Sequence, residues 1–331
     1  MTFATAFFLS LVTAFLTTPL VIRLAKRFGA IDMPGDPRRV HEKPTPRWGG
    51  IAIYLAILVA WLVVYPMSQK AATAHLVGPY TTKSLWIMGI GALIVLFGIL
   101  DDRYQISPFW QALFLIGCGI ALAHPDMGNI RIEGITRPFS KPGTPGSFIG
   151  FSELNSVLFT AIFVFVIAKT MDTIDGIDGL AAGIAAISAM TMFVLALNKQ
   201  PLIGVLSISA VGACLGFLRY NYHPAKIFMG TGGAQFLGFY LAAVSVDGVV
   251  KTAAAVAFLV PLTLFGVPVL DAFVVVIRRL RSGAPITKPD KRHIHHSLLR
   301  WGLTQPQAAW VLYIFAILLC TAAVLAVKLT A

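Results

Sequence analysis

Apolar residues recur along the chain in runs of about 17–25, the length a helix needs to cross the hydrocarbon core of a bilayer. Windows of 19 residues place these runs at 2–22, 48–66, 84–100, 108–124, 155–171, 180–198, 201–218, 232–246, 250–277 and 305–328. The pattern predicts an all-α integral membrane protein of about ten transmembrane helices. It forms a single polytopic domain over 1–331 with cytoplasmic loops 23–47, 101–107, 169–179, 219–231 and 279–304. The ninth run is too long for one straight crossing and carries Pro261, Gly266 and Pro268, so a broken or tilted helix is expected there, its lower half splayed from the bundle. Alternation over Asn129–Ile135, followed by turn residues at Pro142–Gly146, predicts a short external β-hairpin. The first run begins without a basic stretch or a small-residue cleavage site and reads as a retained span. No inverted repeat or soluble domain is visible.

Composition supports this picture. Of 331 residues, 57% are hydrophobic and 12% charged, and the mean hydropathy is +0.80, which leaves too little polar surface for a soluble globule. The net charge of +12 does not indicate nucleic-acid binding, because the 26 Lys and Arg sit in short loops between spans. Alternate loops on one side hold 18 of them. The positive-inside bias makes that side cytoplasmic, with both termini outside a cell inner (plasma) membrane. The acids partition the same way: only Asp126, Glu133, Glu153 and Asp247 are external. Cys118, Cys214 and Cys320 each lie inside an apolar run without paired spacing and read as packing residues.

Chemistry is suggested by where those acids cluster. Asp101 and Asp102 close the third span, and adjacent carboxylates in a partly dry setting need a proton or a cation; a hydrated pair neutralised by Arg103 is the bland alternative. A prenyl-synthase DDxxD motif fails at Gln105. Asp172, Asp175 and Asp178 follow at steps of three, which on a helix puts all three on one face; Gly176 and Gly179 mark a break before the sixth span. N-capping explains one aspartate but hardly three. Carboxylates are costly at a membrane edge. Lys169, Arg103 and Lys226 are candidate compensating charges, and Mg²⁺ (or Mn²⁺) is the stronger candidate because it takes one or two carboxylates together with phosphate oxygens. Gly230-Thr231-Gly232-Gly233 leads into the eighth span, where free N–H groups suit an anion, although helix-packing glycines explain it equally. Arg292, His293, His295 and His296 suit a diphosphate or nucleotide, with structural zinc the competing reading.

Taken in order, Gly29–Asp32, Arg39–Gly50, Asp101-Asp102, Asp175–Leu180, Met229-Gly230 and His293–His296 resemble the polyprenyl-phosphate N-acetylhexosamine-1-phosphate transferases over nearly the whole chain. The His-Ile-His-His form is closer to the WecA/TagO branch, which uses UDP-GlcNAc, than to the related MraY branch. The resemblance implies transfer of a sugar-1-phosphate from a UDP-amino-sugar to polyprenyl (undecaprenyl) phosphate with release of UMP, a first membrane step of cell-envelope glycan synthesis. It implies Asp101, Asp102, Asp175 and Asp178 as catalytic residues and Asp172, Asp175 and Asp101 around Mg²⁺. Lys43, Arg47, Lys169, Thr231, Gly232, Arg292, His293, His295 and His296 would bind substrates, and a homodimer is allowed. The family usually has asparagines where this chain has Lys169 and Asp172, and a metal-binding aspartate where it has Thr231, so Asp172 is expected to restore the displaced carboxylate. A transporter with intramembrane acids and a non-catalytic relative binding lipid phosphate or UDP-sugar are the rival readings. A CDP-alcohol phosphotransferase is disfavoured, because its spaced aspartates are absent.

Overall fold

The computed structural model describes residues 2–34, 43–70, 78–136, 148–197, 200–248, 264–281 and 293–330. The first eight apolar runs each form a helix: α1 (Thr2–Arg27), α2 (Gly49–Lys70), α3 (Gly78–Tyr104), α4 (Pro108–Ala123), α5 (Glu153–Ile174), α6 (Leu180–Ala196), α7 (Pro201–Asn221) and α8 (Gly230–Asp247). Then follow α9 (Gly266–Arg281), the short α10 (Ile294–Arg300) and α11 (Gln305–Thr330). Among the described residues, five segments are long and apolar enough to cross a membrane: Thr2–Arg27, Thr82–Tyr104, Glu153–Ile174, Pro201–Asn221 and Gln305–Lys328. Gly49–Val64, Pro108–Ala123 and Leu180–Ala196 are apolar but shorter. Of the expected ninth run, residues 250–263, Pro261 among them, lie outside the described residues; the described part begins at Leu264 and carries α9, which continues past 277 to Arg281.

Burial is distributed as a lipid-facing bundle requires. The innermost helix is α8, every residue of which from Gly232 to Asp247 is buried. It packs on α3, α5 and α2; α7 packs on α1, α6 and α2, and α11 on α6. Large apolar side chains remain on the outside, among them Phe8, Leu16, Leu62, Leu96, Phe273 and Leu318. A water-facing surface would disfavour these, whereas hydrocarbon does not.

Two rims result. One gathers the ends of α1, α3, α5 and α7 with the starts of α2, α4, α6 and α8, where β1 (Ile31–Asp32) pairs antiparallel with β2 (Thr45–Pro46). At the other rim, Lys83 Nζ at the start of α3 lies 2.6 Å from Asp247 Oδ1 at the end of α8. There also β3 (Gly134–Thr136) pairs antiparallel with β4 (Phe148–Gly150). The turn residues expected between those strands, 142–146, lie outside the described residues.

Helices extend into the expected loops: α3 continues through Asp101 and Asp102, and α5 through Lys169 and Asp172.

A candidate active site at the carboxylate rim

The rim is assembled first by backbone. Gly49 N and Gly50 N donate to the carbonyls of Phe228 (3.0 Å) and Met229 (2.9 Å), and Phe228 N donates to Pro46 O at 2.8 Å. The entry to α8 is thereby stitched to the entry of α2. Glycines then let α8 approach both neighbours: a Cβ on Gly98 would fall 2.0 Å from Gly232 Cα, and one on Gly50 2.2 Å from Gly233 Cα. Close approach through small residues is a usual device of membrane helices. It brings Thr231 N to 3.5 Å from Asp102 Oδ1.

Charges are arranged around this junction. Arg47 bridges Asp32 Oδ1 (2.9 Å) and Asp102 Oδ1 (3.4 Å). Burial works against its charge, but Asp102 and Asp32 outweigh that and raise its pKa above the usual value. Beside it a cavity of about 510 Å³ is lined by Ile31, Asp32, Arg47, Trp48, Asp102 and Arg103. Asp101 is buried and turns the other way, its Oδ1 accepting from Gln111 Nε2 at 2.9 Å. Lys169 Nζ donates to Gln111 Oε1 at 2.8 Å and to Asp172 Oδ2 at 2.7 Å. Gln235 Nε2, inside α8, reaches the same Asp172 oxygen at 3.3 Å. One chain of polar contacts thus runs from Asp101 to Asp172 across three helices.

The three aspartates at steps of three do not share a helical face. Asp172 is within α5 and Asp175 is its C-cap. The helix ends at Ile174, so Asp178 lies beyond it, and Gly179, with φ +77°, opens α6 directly after. Neither Asp175 nor Asp178 caps α6, because Gly179 holds that position. Asp178 Oδ2 instead takes His223 Nδ1 at 2.8 Å and Ala225 N at 3.0 Å. Asp175 keeps some exposed surface but is surrounded by protein. Burial, then the charges of Asp172, Asp102 and Asp178, push its carboxyl up to about 7.

The imidazoles arrive from α10. His295 is 2% exposed and abuts Gly176, where a Cβ would lie 2.4 Å from its Nε2. Burial and the neighbouring His296 push its pKa down to about 3, so it is neutral. The His295 and His296 ring centroids are 4.3 Å apart.

Of the residues expected at the site, Asp101, Asp102, Asp172, Asp175, Asp178, Arg47, Lys169 and Thr231 come together at this rim, with Gly232 supporting from beneath and His295 touching the Asp175–Asp178 turn. Lys43 sits exposed ahead of β2, its carbonyl accepting from Thr45 Oγ1 at 3.0 Å. Arg292 lies outside the described residues. Of the candidate compensating charges, Arg103 has its guanidinium 5.8 Å over the Tyr104 ring, while the ion pair to Asp102 is made by Arg47. Gln111, Gln235, Asp32 and His223 were not anticipated as site residues. A glutamine inside an apolar run is the signal that could have pointed to two of them.

The donors present suit a hard divalent ion in a limited way. Among the described residues no group of three Asp, Glu, His or Cys side chains forms a ready metal cage. What the rim offers is closely spaced carboxylates with few fixed cations, the setting in which Mg²⁺ takes one or two of them and completes its shell from phosphate and water.

Acids massed at one rim of an apolar bundle, and not strung through its middle, define a membrane-embedded enzyme site more than a conduction path. Residues 84–249 match the model of glycosyl transferase family 4. The chain is 34% identical, over 96% of its length and 83% of the relative's, to a probable undecaprenyl-phosphate N-acetylglucosaminyl 1-phosphate transferase of Bacillus subtilis. It is 32% identical, over 92% of its length and 77% of the relative's, to a decaprenyl-phosphate N-acetylglucosaminephosphotransferase of Mycolicibacterium smegmatis. To an undecaprenyl-phosphate alpha-N-acetylglucosaminyl 1-phosphate transferase of Escherichia coli K12 the identity is 26%, over 96% of this chain and 83% of that one. The chain belongs to glycosyl transferase family 4 and is a multi-pass membrane enzyme of the transferase class.

Proposed function

We propose that the chain transfers N-acetylglucosamine-1-phosphate from UDP-N-acetylglucosamine to a polyprenyl phosphate, undecaprenyl phosphate being the favoured lipid, in a Mg²⁺-dependent reaction at the cytoplasmic face. The observation that carries this is the convergence of Asp101, Asp102, Asp172 and Asp175, from two separate helices and a turn, at one rim beside a cavity. A lipid phosphate oxygen attacks the β-phosphorus of the sugar nucleotide. The bond from that phosphorus to the bridging oxygen breaks, and UMP leaves.

Phosphoryl transfer of this kind needs positioning and charge neutralisation more than covalent help. Asp101, held by Gln111, receives the proton of the lipid phosphate, and Asp102 braces Arg47 against the acceptor. Lys169 steadies Asp172 and presents a cation to the diphosphate. Asp172 and Asp175, with Asp101 nearby, would hold Mg²⁺, which when bound offsets the negative charge of the two phosphorylated reactants. His293, His295 and His296 would meet the sugar-nucleotide end, and Arg292, outside the described residues, is assigned there from the sequence alone.

The test is UMP release by the purified protein from UDP-N-acetylglucosamine, with and without undecaprenyl phosphate and Mg²⁺. Release that needs both, and that collapses in Asp101→Asn, supports the reading. Full turnover by Asp101→Asn overturns the role of Asp101. Binding of the nucleotide without turnover selects a non-catalytic relative, and solute uptake into proteoliposomes without UMP selects a transporter.

A further inference from the structure

We propose that Asp271, which lies outside the carboxylate cluster, is the positioning residue of the imidazole limb, holding His293 by Nδ1 so that the opposite ring edge faces the donor diphosphate. The proposal rests on the reading above that His293 meets the sugar nucleotide.

Asp271 sits in α9 and is 2% exposed, a depth at which a carboxylate needs its acceptors filled. Both oxygens are used, and both reach the same short segment. Oδ2 lies 2.7 Å from His293 Nδ1, and Oδ1 accepts from Ile294 N at 2.6 Å. His293 heads α10, yet its own side chain makes no capping bond there. An acceptor from α9 performs that task instead. One side chain therefore fixes the backbone direction of α10 and the ring of its leading residue.

The consequence extends to the carboxylate turn. The His293 ring is parallel to that of His295, with centroids 5.7 Å apart and 7° between planes, and His295 is wedged against Gly176. The ring held by Asp271 thus stacks on His295, which in turn lies against Gly176, the neighbour of Asp175. A carboxylate on Nδ1 makes that nitrogen the N–H donor and leaves Nε2 as the outward atom. The His293 side chain is 15% exposed against 3% for Asp271, so its free edge is the accessible part of the pair. Nothing in the residues around position 271 advertises this role, since the partner is 22 positions away.

The test is a double-mutant cycle with Asp271→Asn and His293→Ala in the full-length protein. Asp271→Asn is expected to lower kcat/KM for UDP-N-acetylglucosamine about 10–100-fold, the range seen when a carboxylate supporting a functional histidine is lost. The loss should fall on the nucleotide, with KM for undecaprenyl phosphate unchanged. In the His293→Ala background Asp271→Asn should cost nothing further. An equal loss in that background, which a merely structural role would give, overturns the proposal, and so does a loss confined to the lipid KM. If the unaltered protein binds UDP-N-acetylglucosamine but releases no UMP, the transferase reading fails while the same cycle, read as calorimetric Kd, still decides on Asp271. If Asp271→Asn does not fold, ¹⁵N spectra of histidine-labelled unaltered protein decide, the His293 signal being assigned by its absence in His293→Gln. A protonated Nδ1 is expected, and a ring protonated on Nε2 alone overturns the assignment.

Discussion

Replacing Gly98 by alanine puts the packing of α8 to a direct test. The new Cβ would lie 2.0 Å from Gly232 Cα and 2.2 Å from Gly232 N, whereas carbon atoms settle at about 3.5–4.0 Å. The obstacle is backbone, so no side chain can rotate aside, and the helices must part by about 1.5 Å while the Gly50–Gly233 contact resists. Overpacking costs about 1–3 kcal/mol, less roughly 0.5–1 kcal/mol that alanine returns inside a helix; a net loss of up to about 2.5 kcal/mol is expected, toward the upper end because the obstacle is backbone. The movement carries Thr231 and Asp102 apart, and a misplacement of about 1 Å near reacting groups costs about 10²-fold in rate. Gly89, on the same helix with nothing within 4 Å of its added Cβ, is the control, and alanine there should leave stability equal or slightly higher. Thermal unfolding in detergent and UMP release would be measured for both. Unchanged melting and turnover in Gly98→Ala, or equal damage from Gly89→Ala, refutes the reasoning.

Three further outcomes are expected. Lys169→Met leaves Asp172 with Gln235 alone and cuts the link to Asp101; because both partners are partly exposed, stability should fall by only about 1 kcal/mol, while turnover falls by an order of magnitude or more, and a variant with normal turnover would count against the Lys169–Gln111 relay. Asp172→Asn should be nearly inactive and Thr231→Asp should partly restore it, as steady-state UMP release will show; absence of rescue removes the idea that one carboxylate replaces the other. For Asp175, whose carboxyl lies near 7, the protonated form prevails below that pH, so Mg²⁺ must displace a proton there. The Mg²⁺ concentration for half-maximal turnover should rise by up to about tenfold per pH unit below 7 and level off above it; a requirement that stays flat between pH 6 and pH 8 contradicts this.

How much of this was legible in the sequence depended on the range of the interaction. Apolar runs specify a helix locally, and α1–α8 fall where those runs lie. The acidic residues also announced themselves, because a carboxylate at the end of an apolar run is expensive wherever the chain goes. The pairing of Lys169 with Asp172, three positions on, was within reach of the sequence; long-range partnerships were not. Asp178 turns to His223, 45 positions on, and Asp172 to Gln235, 63 positions on; no periodicity encodes such pairs. The helical spacing of Asp172, Asp175 and Asp178 misled because α5 stops at Ile174, so that only Asp172 lies within the helix, and Asp178 falls in the break that Gly176 and Gly179 had marked. Arg103 was one candidate counter-charge by its adjacency in sequence, whereas the ion pair to Asp102 comes from Arg47, 55 positions away just after β2.

The ion pair of Lys83 with Asp247 gives the site a mechanical boundary condition. It ties α3 to α8 at the rim far from the carboxylates, while the Gly98–Gly232 contact joins the same two helices at the near one. A pair of rods fastened at both ends cannot scissor. The distance between the Asp102 end of α3 and the Thr231 end of α8 is therefore set from both sides of the bundle.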